Sequence, residues 1–360
     1  MTQAAQLAQY GANNVGLSFK NRIINGDMTI DQRNAGASIT PTDTQYSVDR
    51  WTCRLNVASK YTAQQNAGSV TPPTGFTNYL GITSTSAYSV SSSDYFMIRQ
   101  LIEGFNVADL GWGTANAQTV TLSFWVRSSL TGTFGGSLQN DASDRSYPFT
   151  YTISAANTWE QKSITVAGDT SGTWTTNNSA GIKLNFNLGN GSTYNGPAGA
   201  WAGVNYHSAT GAVSVVGTNG ATFYITGVQL EKGSVATSFD YLPYGTELML
   251  CQRYYESSFP IGTRVGTSNS GSFYQALGSD GSSNASTFIK FTTPKRATPT
   301  MSAFFNGTAN VWDYARSGGL GTATAQFTNQ SSVGTTVYLT IGAAYVVALC
   351  NGDWVANSEL

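Results

Sequence analysis

Few residues in this 360-residue chain have side chains suited to catalysis. His207 is the only histidine, and no Gly-x-Ser-x-Gly nucleophile motif occurs around it or elsewhere. Cys53, Cys251 and Cys350 are too far apart in sequence for a Cys-x-x-Cys metal or redox motif. We therefore expect a structural histidine, buried thiols, no zinc site and no nucleophilic catalysis.

Two carboxylates would be enough for a glycoside hydrolase, at a separation of roughly 5–9 Å. Asp and Glu together number only 19, and several have a local structural explanation. Asp49 precedes Arg50, which indicates an ion pair or a turn, and Asp141 and Asp144 share a loop with Arg145. We assign no catalytic residue and predict that the chain is not an enzyme. A polysaccharide depolymerase is the least favoured alternative.

Loop oxygens could hold calcium, and Asp27 and Asp31 are the candidate ligands. Their spacing is not that of an EF-hand, and capping of turns is the favoured use of both carboxylates. The sequence has no Gly-x4-Gly-Lys motif, and no Gly-x-Gly-x-x-Gly between a strand and a helix, so no phosphate-binding loop is predicted. The sequence therefore predicts no cofactor and no metal, with calcium as the open alternative.

Tryptophans in polar surroundings are the strongest binding signal. Trp112, Trp174 and Trp201 lie in the loop sequences GWG, SGTWTTNN and GAWAG. Trp125 falls on the polar face of a predicted strand. Aromatic faces stack on sugar rings, while Asn, Gln and Asp side chains bind the hydroxyl groups. These four tryptophans are the candidate glycan or receptor contacts; the alternative is that they cover a hydrophobic edge or a subunit interface.

The composition excludes several classes of function. Charged residues make up 10% of the chain, against roughly 25% in ordinary soluble domains. The net charge is −1 and the densest basic spot is the pair Lys295-Arg296, which argues against nucleic-acid binding. No apolar run approaches the ~20 residues of a membrane span, and the start of the sequence has no signal-peptide pattern. We predict that the chain does not insert into a membrane. We also predict that it is synthesised in a reducing cytoplasm.

The apolar pattern predicts β-strands through most of the chain. Residues 120–127 and 182–188 alternate between apolar and polar side chains, as half-buried antiparallel strands do. In residues 223–230 the apolar phase slips at Gly227, which predicts a bulge or bend there. Turn-rich clusters separate many such segments, which is typical of sandwiches and barrels. The predicted fold class is therefore all-β.

Changes in pattern divide the chain into four parts. Residues 1–20 have the pattern of a short helical arm, which would anchor the chain or help it to trimerise. Residues 21–245 are predicted to form a β-sandwich, and residues 246–256 a short linking helix capped by Thr246. Residues 257–360 return to short strands and are predicted to form a second, smaller β-sandwich.

Five separated motifs together resemble a β-sandwich module of phage and prophage tail proteins. In the family's order they are NRIINGDMTIDQR (21–33), VDRW (48–51), LSFWVRSS (122–129), NTW (157–159) and FYITGVQLEKGSVATSFDYLPYGTEL (223–248). CQRYYE (251–256) resembles the usual continuation into a C-terminal domain, and RATPTM (296–301) also recurs in such proteins. The resemblance covers roughly residues 18–256.

The resemblance implies a jelly roll similar to carbohydrate-binding modules, on an appendage that meets the host surface and is usually trimeric. Related modules often hold calcium through an Asn-Gly-Asp region and an Asp pair in the last strand. Asn25-Gly26-Asp27 matches the first feature, but Thr226-Gly227 stands where the Asp pair would be, which argues against calcium. In structural terms Asn25-Gly26 predicts a turn, and Trp51 is expected in the core.

We therefore expect a bacteriophage virion protein, made in the cytoplasm of the bacterial host and carried on the particle surface, on the tail or the capsid. The favoured hypothesis is a receptor-binding tail fibre, spike or tip that attaches to a host surface glycan. The alternative is a purely structural head fibre, decoration protein or tail adaptor without glycan binding. A homotrimer is expected, and residues 1–20 are expected to contact other phage structural proteins.

Overall fold

The computed structural model describes residues 19–267, 273–279, 284–316, 319–341 and 347–360. All but the last two residues of the predicted N-terminal arm lie outside the described residues. The strands, in chain order, are β1 (Tyr46–Val48), β2 (Trp51–Leu55), β3 (Tyr61–Gln65), β4 (Leu80–Ser84), β5 (Tyr95–Glu103), β6 (Val120–Ser128), β7 (Gly132–Gln139), β8 (Ser146–Ile153), β9 (Glu160–Val166), β10 (Ala180–Asn190), β11 (Asn195–Gly196), β12 (Ser208–Ala209), β13 (Thr222–Lys232), β14 (Tyr255–Ser257), β15 (Phe273–Ser279), β16 (Asn284–Lys290), β17 (Thr300–Phe305), β18 (Thr308–Ala309), β19 (Val311–Arg316), β20 (Gly319–Thr328), β21 (Gly334–Thr340) and β22 (Val347–Asn357). The described helices are α1 (Tyr244–Gln252) and short 3-10 turns at Ala67–Ser69, Gly104–Asn106, Ala108–Leu110 and Ser192–Tyr194.

The strands between residues 46 and 232 form a sandwich of two antiparallel sheets. One sheet has six strands in the order β1-β2-β5-β10-β7-β8, and the other has five in the order β3-β4-β13-β6-β9. Aromatic side chains meet between them: Phe124 lies edge-on to Phe186, with ring centroids 5.0 Å apart. Trp51 is fully buried in the same core, as predicted, 6.3 Å from Phe186. The all-β fold with a jelly-roll sandwich is thus confirmed.

The alternation predicted for residues 120–127 and 182–188 is present in β6 and β10. The polar residues of these strands were expected to face solvent. Ser123 and Asn185 do face away from the core, but they are buried. Segments between strands pack across the outer faces of both sheets. In the six-stranded sheet, for example, Gln139 donates a hydrogen bond to the carbonyl of Tyr206.

The predicted irregularity at Gly227 is a β-bulge. The pairing of β13 with β6 shifts register between Thr226 and Gln229. Gly227 has a φ of 60°, a left-handed conformation that favours glycine. A Cβ atom at this position would stand 2.6 Å from the ring of Phe76. Backbone conformation and the close approach of an aromatic ring therefore both require glycine here.

The C-terminal strands form the second, smaller β-unit, in which six strands close into a ring. Six strands pair in the order β15-β16-β21-β20-β19-β22, and β15 also pairs with β22. The first half of β22 lies in this ring, and its second half, residues 353–357, pairs with β17. Trp312 and Leu339 are buried in the core of the ring. The ring is closed because β22 pairs with β15 on one edge and with β19 on the other.

The linking helix begins earlier than predicted. α1 spans Tyr244–Gln252, whereas the sequence pattern placed it at 246–256 with Thr246 as its cap. The prediction of Thr246 as the cap was wrong, because the helix already begins at Tyr244. The carbonyl of Pro243 accepts the first helical hydrogen bonds, from the amides of Thr246 (2.8 Å) and Glu247 (3.1 Å). The end of the predicted helix belongs to β14 instead.

An ion-pair network joins the sandwich to the C-terminal strands. Glu359, which is nearly buried, binds the guanidinium groups of Arg33 (2.6 Å) and Arg50. Arg33 also lies over the ring of Tyr255, 3.6 Å from its centroid. Arg50 lies over the ring of Tyr254 at 3.5 Å. We call this region the junction.

A second set of contacts strengthens the junction. Glu103 accepts two hydrogen bonds from Arg253 (2.9 and 2.6 Å) and one from the hydroxyl of Tyr254 (2.6 Å). Arg296 donates to the backbone carbonyl of Glu359 (2.8 Å). Four of the motifs quoted above, NRIINGDMTIDQR, VDRW, CQRYYE and RATPTM, therefore meet at the junction.

The turn predicted at Asn25-Gly26 is present and connects two of those motifs. The Asn25 amide group donates to the carbonyls of Ile30 and Asp49, both at 2.8 Å. Its carbonyl oxygen accepts from the amide of Ile30 (2.9 Å), and its backbone carbonyl accepts from the indole of Trp51 (3.0 Å). One buried side chain thus fixes the first loop against the Asp-Arg-Trp segment.

All three cysteines are buried, as predicted, and no disulfide joins them. Burial raises the pKa of the Cys53 thiol to about 12, so that thiol stays protonated and unreactive at neutral pH. No helix in the described part of the chain is long and apolar enough to cross a bilayer.

Candidate functional site

The outer face of the six-stranded sheet carries a row of buried polar side chains. Arg99 of β5 stands opposite Asn185 of β10. Asn185 in turn stands opposite Ser137 of β7, and Gln139 follows on the same face of that strand. All four are buried. The alternation in the sequence predicts that these residues face solvent. They are buried because other segments of the chain pack over them.

These side chains form one hydrogen-bond network. Arg99 Nε donates to Asn185 Oδ1 (2.6 Å). Asn185 Nδ2 donates to Ser137 Oγ and to Gln139 Oε1, both at 2.9 Å. Gln139 Nε2 donates to Asn205 Oδ1 (2.8 Å) in the covering loop. Because the four strand residues are buried and hydrogen-bonded to one another, the network holds the guanidinium in one place.

A cleft of about 370 Å³ opens beside this network, between the sheet and the C-terminal strands. β1, β2 and β5 form its floor, and the start of β17 and the end of β22 form its far wall. Hydroxyl, guanidinium, amide and carboxylate groups are all present. The lining residues are Thr44, Tyr46, Thr52, Arg54, Arg99, Leu101, Thr300, Asn357, Glu359 and Leu360.

Arg99 is the buried cation of the cleft, with 6% of its surface exposed. Burial, and after it the positive charge of Arg54, lower the pKa of Arg99 to about 9. The guanidinium is therefore still charged at neutral pH. Its hydrogen-bond acceptors belong to Asn185, Gln139 and Met97, and all of them are neutral.

A cluster of aromatic rings lies next to Arg54, one of the lining residues of the cleft. Tyr194 stacks on His207, with centroids 4.4 Å apart, and Tyr95 meets both rings edge-on at 5.7 and 5.8 Å. The guanidinium of Arg54 lies 5.7 Å from the centroid of Tyr95. Both tyrosines are half-buried. The search for tryptophans missed them, although the alternation of β5 places Tyr95 on the same face as Arg99.

His207 has the surroundings of a structural residue, as predicted. Burial lowers its pKa to about 3, and the positive charge of Arg99 acts in the same direction. The ring is therefore neutral at pH 7. Its Nε2 lies 3.1 Å from Asn205 Oδ1, and its ring contacts the stacked ring of Tyr194 and the edge-on ring of Tyr95. The histidine thus helps to hold the loop that covers the polar network.

Three of the four predicted tryptophans meet in one cluster. Trp112 and Trp174 have ring centroids 4.7 Å apart, and Trp201 lies 5.3 Å from each of them. Each indole N–H donates to a loop carbonyl. Trp112 is only 7% exposed, while the other two are half-buried at the surface. The cluster ties three loops together, and its accessible part consists of Trp174 and Trp201.

Trp125 lies apart from this cluster, on the outer face of the five-stranded sheet. It is half-buried, and its Cδ1 would be 3.2 Å from a Cβ atom at Gly227. The four predicted contact residues therefore do not form a single site. The cleft, on the opposite sheet, contains none of them.

The two calcium candidates cap turns. Asp31 accepts backbone hydrogen bonds from Asn34 (2.9 Å) and Gly36 (2.8 Å) with its two carboxylate oxygens. Asp27 accepts one from Thr29 (3.3 Å). Among the residues that the structure describes, no three His, Cys, Asp or Glu side chains are grouped as metal ligands. Both carboxylates have the use that the sequence favoured.

No protein-family model matches the chain, and no curated protein matches its sequence. Among solved structures, the enzymatically active domain of tailspike protein 4 of Bacteriophage CBA120 matches 59% of this chain at 11% identity and a TM-score of 0.32, and the match spans only 22% of the tailspike chain. A putative sugar-binding protein from Bacteroides thetaiotaomicron matches 59% of this chain and 100% of its own, at 12% identity and a TM-score of 0.35. A family 11 carbohydrate-binding module from Clostridium thermocellum, in complex with a β-1,3-1,4-mixed-linked tetrasaccharide, matches 54% and 96% of the two chains, at 12% identity and a TM-score of 0.27. At such identities these similarities assign no function.

Proposed function

We propose that this chain is a receptor-binding appendage protein of a bacteriophage, a tail fibre, spike or tip that attaches to a glycan on the host surface. The observation that carries the proposal is the cleft on the outer face of the six-stranded sheet. Hydroxyl, amide and guanidinium groups and the ring of Tyr46 line it, and the half-buried ring of Tyr95 lies 5.7 Å from the guanidinium of Arg54 in that lining. These groups suit sugar hydroxyls and sugar ring faces.

The virion part of the proposal is supported by the five motifs that resemble phage tail proteins. In this proposal the protein is made in the cytoplasm of the bacterial host and is carried on the surface of the particle. Residues 1–20 contact other phage structural proteins, and the chain binds its glycan without hydrolysing it. A purely structural virion protein is the alternative, and glycan binding separates the two.

The proposed assembly is a homotrimer. Large apolar side chains remain exposed in and near α1, namely Tyr241 (53%), Tyr244 (47%) and Met249 (50%). Exposed apolar side chains that lie close together in the chain are typical of an interface. Light scattering of the full chain is expected to give three times its mass of 38.1 kDa. A stable monomer would contradict this prediction.

Binding of the full chain to an array of bacterial surface glycans tests the proposed function. We expect binding to a subset of the array, and about fivefold weaker binding for Tyr95→Ala, because one aromatic contact contributes on the order of 1 kcal/mol. Tyr338→Ala, at a half-buried tyrosine on β21, is the matched control and should bind like the wild type. A folded wild-type protein that binds no glycan contradicts the proposal. Loss of binding in Trp125→Ala alone would move the site to the other sheet.

A further inference from the structure

We infer that the cleft takes a sugar that carries an oxyanion, either a carboxylate or a phosphate group, and that Arg99 contacts this group. The inference rests on the proposed function and deepens it, because it names the chemical class of the glycan. Three properties of one side chain carry it: its burial, its neutral surroundings and an unused edge of its guanidinium group.

Arg99 has no carboxylate within ion-pair distance among the described residues, and the charges of Asp43 and Arg54 act on it only at longer range. Other buried cations face carboxylates, since Arg50 pairs with Glu359 and Lys295 pairs with Glu256. Arg99 forms no ion pair with any described carboxylate, and its hydrogen-bond acceptors are neutral. A charge taken out of water without a counter-charge is costly. An arginine kept in this state beside an open cleft is therefore suited to bind an anion.

One edge of the guanidinium is unused. Nε donates to Asn185, and Nη2 faces Gln139 Oε1 (3.5 Å) and the sulfur of Met97 (3.7 Å). Nη1 has no hydrogen-bond partner in the described part of the chain, and Arg99 is a lining residue of the cleft. Because the network already fixes the guanidinium, an oxyanion could bind without the entropic cost of ordering it. Charge-assisted hydrogen bonds of this kind are the strong ones.

The remaining charges near the cleft balance one another. Arg54 pairs with Asp43 at 2.8 Å, and Lys183 pairs with Asp141 at 3.5 Å. Glu359, a carboxylate in the lining, pairs with the two arginines of the junction, and Asp49 lies 3.6 Å from one of them, Arg33. Arg99 is thus the lining cation that has no ion-pair partner in the described part of the chain. The hydroxyl groups of Thr44 and Thr52 lie in the same lining and could bind the sugar itself.

The test measures the midpoint temperature of thermal unfolding of the full chain at increasing concentrations of glucuronate, glucose 6-phosphate, inorganic phosphate or glucose. The ionic strength is held constant with NaCl. A ligand that binds only the native state raises the midpoint in a saturable way, which yields an apparent Kd. We expect a rise with glucuronate or glucose 6-phosphate and none with glucose. Arg99→Gln should weaken the apparent affinity by at least about tenfold, and Arg99→Lys should retain part of the response. Arg127→Gln, on the outer face of the other sheet, is the matched control and should respond like the wild type.

A rise with glucuronate assigns a carboxylate as the preferred group, and a rise with glucose 6-phosphate assigns a phosphate. A wild-type response to glucose equal to that of the anions, no response to either charged sugar, or an undiminished response in Arg99→Gln overturns the inference. A response to inorganic phosphate alone shows an adventitious ion only and also overturns it. If Arg99→Gln does not fold, the wild-type series and Arg99→Lys decide. Array binding without an anion response removes this inference and leaves the proposed function, whereas an anion response without array binding removes the proposed function.

Discussion

Replacing Glu359 with glutamine is expected to lower the free energy of unfolding by about 3 kcal/mol, because it leaves the buried Arg50 without a counter-charge and Arg33 with only Asp49, 3.6 Å away. The side chains of Arg50 and Arg33 are only 1% and 12% exposed. At such sites water compensates only partly for the lost carboxylate. Equilibrium denaturation with urea, followed by circular dichroism, measures the change.

The control for this variant is an ion pair of the same chemistry at the surface. Asp109 binds Arg22 at 2.9 Å, and its side chain is 48% exposed. Asp109→Asn should therefore change the free energy of unfolding by less than about 0.5 kcal/mol. Equal effects of the two substitutions would show that the junction contributes no more than an exposed pair.

Trp112→Ala is expected to cost about 4 kcal/mol of stability, since it removes the most buried ring of the tryptophan cluster and leaves a cavity between three loops. Trp174 and Trp201 would each lose one of their edge-to-face partners. The same denaturation experiment measures the loss. Trp125→Ala, at a half-buried tryptophan outside the cluster, should cost less than half as much.

This prediction also separates two roles for the cluster. A Trp112→Ala protein that is as stable as the wild type but no longer binds glycans would mean that the ring is a ligand contact. Reduced stability with glycan binding intact would mean that the ring holds loops together. Trp174→Phe keeps a ring in the cluster while changing the surface, and so tests whether the accessible part of the cluster contacts a ligand.

Local sequence patterns were enough to predict three strands of the sandwich, β6, β10 and β13. Alternation identifies β6 and β10, and the phase slip at Gly227 identifies the bulge, because both depend on residues that are neighbours in the chain. The strand β20 (Gly319–Thr328) was missed, since its Gly, Ala and Thr residues have weak apolar periodicity. Pairing with β19 and β21 determines that strand instead.

The candidate site could not be predicted from one sequence. Arg99 and Asn185 face each other only through the register between β5 and β10, which are far apart in the chain. The polar positions of these strands predict solvent exposure, and only the covering loop makes them buried. The far wall of the cleft comes from residues near Glu359, which no local pattern connects with β1 or β2.

The cleft has its floor on the sandwich and its far wall on the C-terminal strands, and this arrangement has a mechanical consequence. A ligand that touches both the floor and the far wall can bind only while the C-terminal strands stay docked on the sandwich. Binding and docking are then thermodynamically coupled, and each must strengthen the other by the same factor. A pull that tends to separate the two parts would meet more resistance in the occupied protein than in the empty one. An attachment protein built in this way would hold its shape best while it carries load.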